Sequence, residues 1–378
     1  MDVATLDRIV EILKRDHLAF RSKHNYDEKL PYLRVSEAEF DKKVELLKRK
    51  LPKLTNRVDV KREMCALFAC LGDAHTMFVY SRRQRMDIEF LHCKDAIYLK
   101  MVDSKYKDLL LHRVDEIEGY NIQTLLNKAK KIIPFETKEW FNHFSAVCLS
   151  DPHFLAMLGI DVKATLRVKL DNQEFNFPLK SESVAMPPAL GHQSWYDVST
   201  QEGITVIRYT KCRADLPNWE KFCKDVKNIA PSSAVIVDLR DNEGGNSRVF
   251  TENVAKVLKE KHCVGCALVN NGVFSSGGLA VKDLRKLGFK LIGENMAQPM
   301  DNYFPGETPQ EDKFKFAYNV DEYSFTVTNA LMNLRVKPTD TNKPDIKVAN
   351  TIEALRAGHD LVLERAVEYL NKTQLRDR

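Results

Sequence analysis

Between residues 203 and 295 apolar runs alternate with amphipathic ones, and this alternation constrains the fold more than any other feature of the chain. GITVIRYT, SAVIVDLR, CVGCALVNN and KLIGEN are short and rich in β-branched and other apolar residues; SAVIVDLR is almost continuously apolar, as a strand covered on both faces requires. Between them WEKFCKDVKNIA, NSRVFTENVAKVLKEK and SGGLAVKDLRKLG carry apolar residues at helical spacing. Such alternation predicts a parallel sheet covered by helices. Sheets of this type place their sites at the carboxyl ends of the strands.

The rest of the chain has a different texture. Residues 1 to about 80 predict helices, from LDRIVEILKRDHLAF, FDKKVELLKRKLPKL and VKREMCALFACLG. The last of these should stop at Gly72, which puts His75 on the loop DAHT, ahead of a strand TMFVY. From about 86 to 180 short strands dominate: DIEFLH, AIYLKMV, a strand–turn–strand in LLLHRVDEIEGYNI, and a hairpin of DVKATLRVKL and EFNFPLK turning at Asp171-Asn172. KEWFNHFSAVCLSDPHFLAMLGI interrupts them as a helical stretch. SESVAMPPALGHQ, with two prolines and no periodicity, is a linker. At 378 residues the chain is long enough for two or three domains.

Composition excludes several functions. The 58 basic and 53 acidic residues are spread along the chain, and no basic block with interleaved aromatics marks a nucleic-acid surface. No apolar run reaches the length of a membrane span. The amphipathic start, with Leu6, Ile9, Val10 and Leu13 on one face, lacks the apolar core and cleavage site of a signal peptide, so a cytoplasmic location is expected. Eight scattered cysteines suit a reducing compartment. Cys263 and Cys266 form one CxxC without a second pair, which points to a buried strand rather than a metal site.

Two strand-to-helix turns could carry chemistry. In VIVDLRDNEGGNS, Gly244-Gly245 permit positive φ, and amides at a helix start suit an anion, whether a phosphate or a developing oxyanion. Neither GxGxxG nor GK[ST] is present, which disfavours nucleotides. In LVNNGVFSSGGLAVKDL, Ser275 and Ser276 stand between a buried strand and a helix. A serine there either exposes its hydroxyl as a nucleophile, although GxSxG is absent, or caps the helix.

The motifs LGDAHT (71–76), VDLRDNEGG (237–245), VFSSGG (273–278) and KPDI (343–346) occur in the order found in one family. On these, the chain resembles the tail-specific, or C-terminal-processing, serine peptidases. The resemblance covers nearly the whole chain, and DLRxNxGG is its most specific piece. It implies a multidomain α/β fold: a helical region at 1–80 carrying the His loop, a PDZ-like β-rich domain at 81–185 entered through LLLHRVDEIEGYNI, and a crotonase-like catalytic core at 186–378. One branch of the family pairs its serine with a lysine, but the matching stretch LIGENMAQPMDN has none, and Lys286 and Lys290 lie too early. The other branch, similar to the tricorn core, uses histidine.

The resemblance therefore implies Ser275 as nucleophile, His75 as general base, and amides of Ser276 and of Gly244 or Gly245 as the oxyanion hole. Asp73 holds the loop. A carboxylate should stand behind the imidazole, yet RVKPTDTNKPDI has no Glu before its Pro-Asp, which leaves Asp340, with Glu307 as rival. The expected reaction is peptide hydrolysis through an acyl-enzyme, with a peptide or protein as partner and no cofactor or metal. Activity should rise with pH through a value near ~6.5, the ordinary imidazole value, shifted by the surroundings of the ring. Alternatives are a non-catalytic peptide-binding relative and a crotonase-like enzyme acting on acyl thioesters.

Overall fold

In the computed structural model the four apolar runs lie side by side as parallel strands, Ile204–Tyr209, Ala234–Asp238, Val264–Val269 and Lys290–Gly293. Ile346–Lys347 extends the sheet beyond Lys290–Gly293, and Tyr196–Gln201 closes the other edge, antiparallel to Ile204–Tyr209. The residues described are 1–17, 20, 35–80, 85–94, 96–190, 194–299, 303–304, 317–328, 330–331 and 342–374. Asp340 and Glu307, the carboxylates expected behind His75, lie outside them.

Alternation along each strand sends side chains to opposite faces. Val235, Val237, Ala267 and Val269 pack on one face with Phe222, Val254 and Val281 from the helical segments Trp219–Lys227, Thr251–Ala255 and Ser276–Lys286. Ala234, Ile236, Cys266 and Leu268 pack on the other with Val362, Ala366 and Leu370 of Leu361–Gln374. All five residues of Ala234–Asp238 are buried, the burial its apolar run demands. Cys263 and Cys266 are buried at and near this strand layer, and no disulfide forms among the described residues.

The turn after Ala234–Asp238 is held by a buried ion cluster. Arg240 donates to both oxygens of Asp238 and to both of Asp360, at 2.7–2.9 Å. Burial alone would push the guanidinium down, but Asp238 and Asp360 hold it well above its ordinary value, so it stays cationic. Asp360 also accepts from the amide of Leu363, in the first turn of the last helix.

These elements belong to one compact unit, Met186–Met300 with the described residues between Thr339 and Arg378. The other unit is Met1–Ala185 with the described residues between Asp301 and Pro338. It begins with helices Val3–Asp16, Glu37–Lys50 and Arg57–Ala69, entered through Asp2, a Ser36/Glu39 capping box and Asn56. Short antiparallel ladders follow: Glu89–Cys93 on Ala96–Asp103, and Val114–Ile117 on Thr165–Leu170, which pairs with Gln173–Pro178 through the expected turn at Asp171 and Asn172.

Packing groups the stretches of the chain into the units as follows. Residues 1–80 and 81–185 share one unit, because Tyr80 packs on Phe154 and the amide of Met86 donates to Ser150. The hairpin Ala317–Val320/Tyr323–Thr326, expected in the core, also belongs to this unit. Its second strand pairs with Phe78–Val79, and Phe325 packs edge-on against Phe68. The helical stretch 138–160 breaks in two, Lys138–Cys148 and Pro152–Met157, where Asp151 caps the second helix and Pro152 opens it.

Candidate active site

In the second unit the turns after two neighbouring strands meet around Asn242. This fully buried side chain donates to the carbonyl of Tyr209 at 2.9 Å and accepts the amide of Gly244 at 2.9 Å. Its backbone carbonyl accepts the amide of Phe274, which ties the glycine turn to the serine turn. The carbonyl of Gly244 accepts from Cys212, and the carbonyl of Cys212 accepts from Asn246. This bridge makes no use of the Gly245 amide.

Gly244 and Gly245 have φ of +104° and +137°, a region that favours glycine. A methyl group on Gly244 would stand 2.8 Å from Ser275 Cβ and 2.8 Å from Ser276 N. The bare Cα of Gly244 therefore stands against Ser275 Cβ and the backbone nitrogen of Ser276. The Gly244 amide is committed to Asn242 Oδ1. Ser276 is the first residue of Ser276–Lys286, so no helical carbonyl lies four residues behind its N–H.

The two serines are distinct. Ser275 has φ 54° and ψ −125°, a conformation costing about 1–3 kcal/mol for a residue with a side chain, and its hydroxyl does not cap the helix. Its own amide donates to Gln298 Oε1 at 3.1 Å. The Ser276 hydroxyl is buried and donates to the carbonyl of Gly245 at 2.8 Å. Helix capping, one of the two roles open to Ser275, is thus not the one it fills.

In the first unit the helix Arg57–Ala69 ends as expected at Gly72, with φ 73°. The loop beyond is fastened around Asp73, which is fully buried. Asp73 Oδ1 accepts the amide of His75 at 2.9 Å, and Oδ2 accepts the Thr76 hydroxyl at 2.5 Å and the ring of His17 at 3.1 Å. Burial opposes its charge, but the bond from His17, the nearby imidazoles and Thr76 together lower its pKa to about 2. The carbonyl of His75 accepts from Thr326 Oγ1 at 2.6 Å, and the Thr328 amide donates to Thr76. Ala74 donates its amide to Glu136 Oε1 at 3.1 Å.

A ring nitrogen of His75 and carboxylate oxygens of Asp73 and Glu136 lie within 4.8 Å of one another. These three could share a cation. Both oxygens of Asp73 and one of Glu136 already accept hydrogen bonds, however, so the group is better suited to surround an imidazole. Neither Glu136 nor His17 was singled out by the sequence, since PFETKEW reads only as a helix entrance and His17 only as the end of an amphipathic helix.

Burial lowers His75 to about 4, with the negative charge of Asp73 opposing the shift. The surroundings thus shift the ring well below its ordinary ~6.5, and the shift carries a stability consequence. Between ~6.5 and about 4 the unfolded chain binds a proton at this histidine and the folded chain does not. Stability from this group is therefore complete above ~6.5 and is lost as pH falls toward about 4. Urea unfolding at pH 7.5 and pH 5 should show wild type losing roughly 2 kcal/mol more than His75→Gln over that step.

His75 lies in the first unit and Ser275 in the second. The described chain has the fold of mature CPAF: the match has a TM-score of 0.57 at 12% identity and covers 98% of this chain and 95% of that one. Also similar are the photosystem II D1 C-terminal processing protease (TM-score 0.46, 12% identity, 95% of this chain and 98% of that one) and the tricorn protease (0.43, 13%, 98% and 36%). No protein-family model and no curated protein sequence matches the chain. Among the described residues no helix is long and apolar enough to cross a membrane.

Proposed function

We propose that this protein is a serine peptidase that hydrolyses peptide bonds through an acyl-enzyme. The observation that carries the reading is Ser275, held at positive φ between a buried strand and a helix while Ser276 is tied to Gly245. In this mechanism Ser275 Oγ attacks the scissile carbonyl and His75 takes its proton. The amides of Gly245 and Ser276 receive the oxyanion, and the proton on His75 passes to the leaving amine. Water then repeats the sequence on the acyl-enzyme and frees Ser275. Residues 81–185 serve as a PDZ-like module that docks a peptide. Support for peptides as substrate comes from the ordered motifs LGDAHT, VDLRDNEGG and VFSSGG and from the shared fold.

The test is reaction of the intact protein with a fluorophosphonate, followed by peptide mapping. A single phosphonylated residue, Ser275, is the expected result. A folded protein that does not react would be a peptide-binding relative without catalysis, and turnover of an acyl thioester in place of a peptide would make it a crotonase-like enzyme.

A further inference from the structure

We infer that Glu136 is the carboxylate that orients His75 and balances the charge His75 acquires when it takes a proton. The inference rests on the peptidase reading and supplies the third member that the sequence sought at Asp340 or Glu307. Glu136 is placed by a rigid entrance. It immediately precedes Thr137, whose hydroxyl caps Lys138–Cys148 by accepting the amide of Trp140 at 3.1 Å. Behind it Ile132, Ile133 and Phe135 are buried, so the segment cannot swing away without exposing apolar surface. One oxygen holds the loop at Ala74, the residue before His75, and a carboxylate oxygen lies within 4.8 Å of the ring nitrogen.

Asp73, the other carboxylate in reach among the described residues, is committed elsewhere. Its two oxygens serve the His75 amide, the Thr76 hydroxyl and the His17 ring, all of which shape the loop backbone. Asp73 builds the turn and Glu136 faces what the turn presents. A buried imidazole that gains a proton needs a negative group at this range, because burial penalises its cationic form. Glu136 is a positioning residue: it acts on the substrate only through His75.

Glu136→Gln separates this role from a merely structural one. The amide oxygen of Gln can still accept from Ala74, so the loop clamp survives while the charge is lost. Two quantities are read in the full chain: the rate of fluorophosphonate reaction at Ser275, and the pH at which the His75 ring titrates by 15N chemical shift. Glu136→Gln should slow the reaction at least ~100-fold, since neutralising a triad carboxylate costs up to ~10⁴-fold. It should also move the His75 titration to lower pH by about one unit. Glu136→Ala, which loses the clamp as well, should be no faster.

Reaction of Glu136→Gln at the wild-type rate, or a His75 titration that does not move, would overturn the assignment. The titration needs no serine chemistry. If wild type itself fails to react, the peptidase reading falls, and the ring measurement still decides whether Glu136 faces His75.

Discussion

Ser275→Ala is expected to abolish peptide turnover, with a loss on the order of 10⁶-fold in kcat, as for removal of a nucleophile that works as a unit with its base. Ser276→Ala should retain a measurable rate, reduced about tenfold. The difference follows from what each hydroxyl does. Ser275 holds a positive φ and leaves its hydroxyl uncommitted to the helix. Ser276 uses its hydroxyl on the Gly245 carbonyl, and its proposed catalytic contribution is a backbone amide that alanine keeps. Losing that one hydrogen bond costs about 1 kcal/mol in the placement of Gly245. Peptide turnover and fluorophosphonate mapping on both variants decide it. Activity in Ser275→Ala together with silence in Ser276→Ala would move the nucleophile by one residue.

Gly244→Ala should lower kcat by roughly 10²–10³-fold, the effect of spoiling an oxyanion hole, while KM stays near wild type. The added methyl would stand 2.8 Å from both Ser275 Cβ and Ser276 N, inside the space the tetrahedral intermediate requires. Both methyls meet backbone at a φ that strains alanine, so both variants lose stability, Gly245→Ala the more. Its methyl would stand 2.3 Å from the Cys212 carbonyl oxygen, so backbone must move and the Cys212 bridge must open. Its main signature is a lower denaturation midpoint. Measuring kcat, KM and the urea midpoint on both variants separates the two effects. If Gly244→Ala instead raised KM and left kcat unchanged, the turn would be a binding loop. A phosphate site at this turn would show nucleotide-dependent thermal stabilisation of the native protein.

What the sequence conveyed was local. The continuous apolar run around Val235 and Val237 identified a buried strand because burial on both faces leaves no polar position. Gly72 marked a helix end because its φ suits glycine. The Gly244-Gly245 and Ser275-Ser276 turns were visible because turn chemistry is written in adjacent residues. The contacts that finish each half were not written that way. Phe78 pairs with Phe325 across almost 250 positions, and nothing in either strand names its partner. Glu136 reaches Ala74 from 62 residues away, and its local context explains it fully as the approach to Thr137. Resemblance transfers sequence order, which is why it pointed to Asp340 and Glu307, outside the described residues; proximity to an imidazole is set by packing and cannot be read that way. The size of the histidine's shift was illegible for the same reason: it is set by the burial of His75, which packing decides.

The ion cluster on Arg240 also bears on the order in which the molecule is made. A ribosome delivers the glycine turn some 120 residues before it delivers Asp360, the second carboxylate of that guanidinium. Until then the arginine has only Asp238 to hold it, and the sheet face that Val362, Ala366 and Leu370 cover stands open to water. Burying the guanidinium at that stage would leave half its donors unanswered, so the turn that carries Gly245 has no reason to settle. Its geometry becomes favourable only when the last helix docks. A turn assembled in this sequence takes its final shape only after Asp360, far downstream of it, has been made.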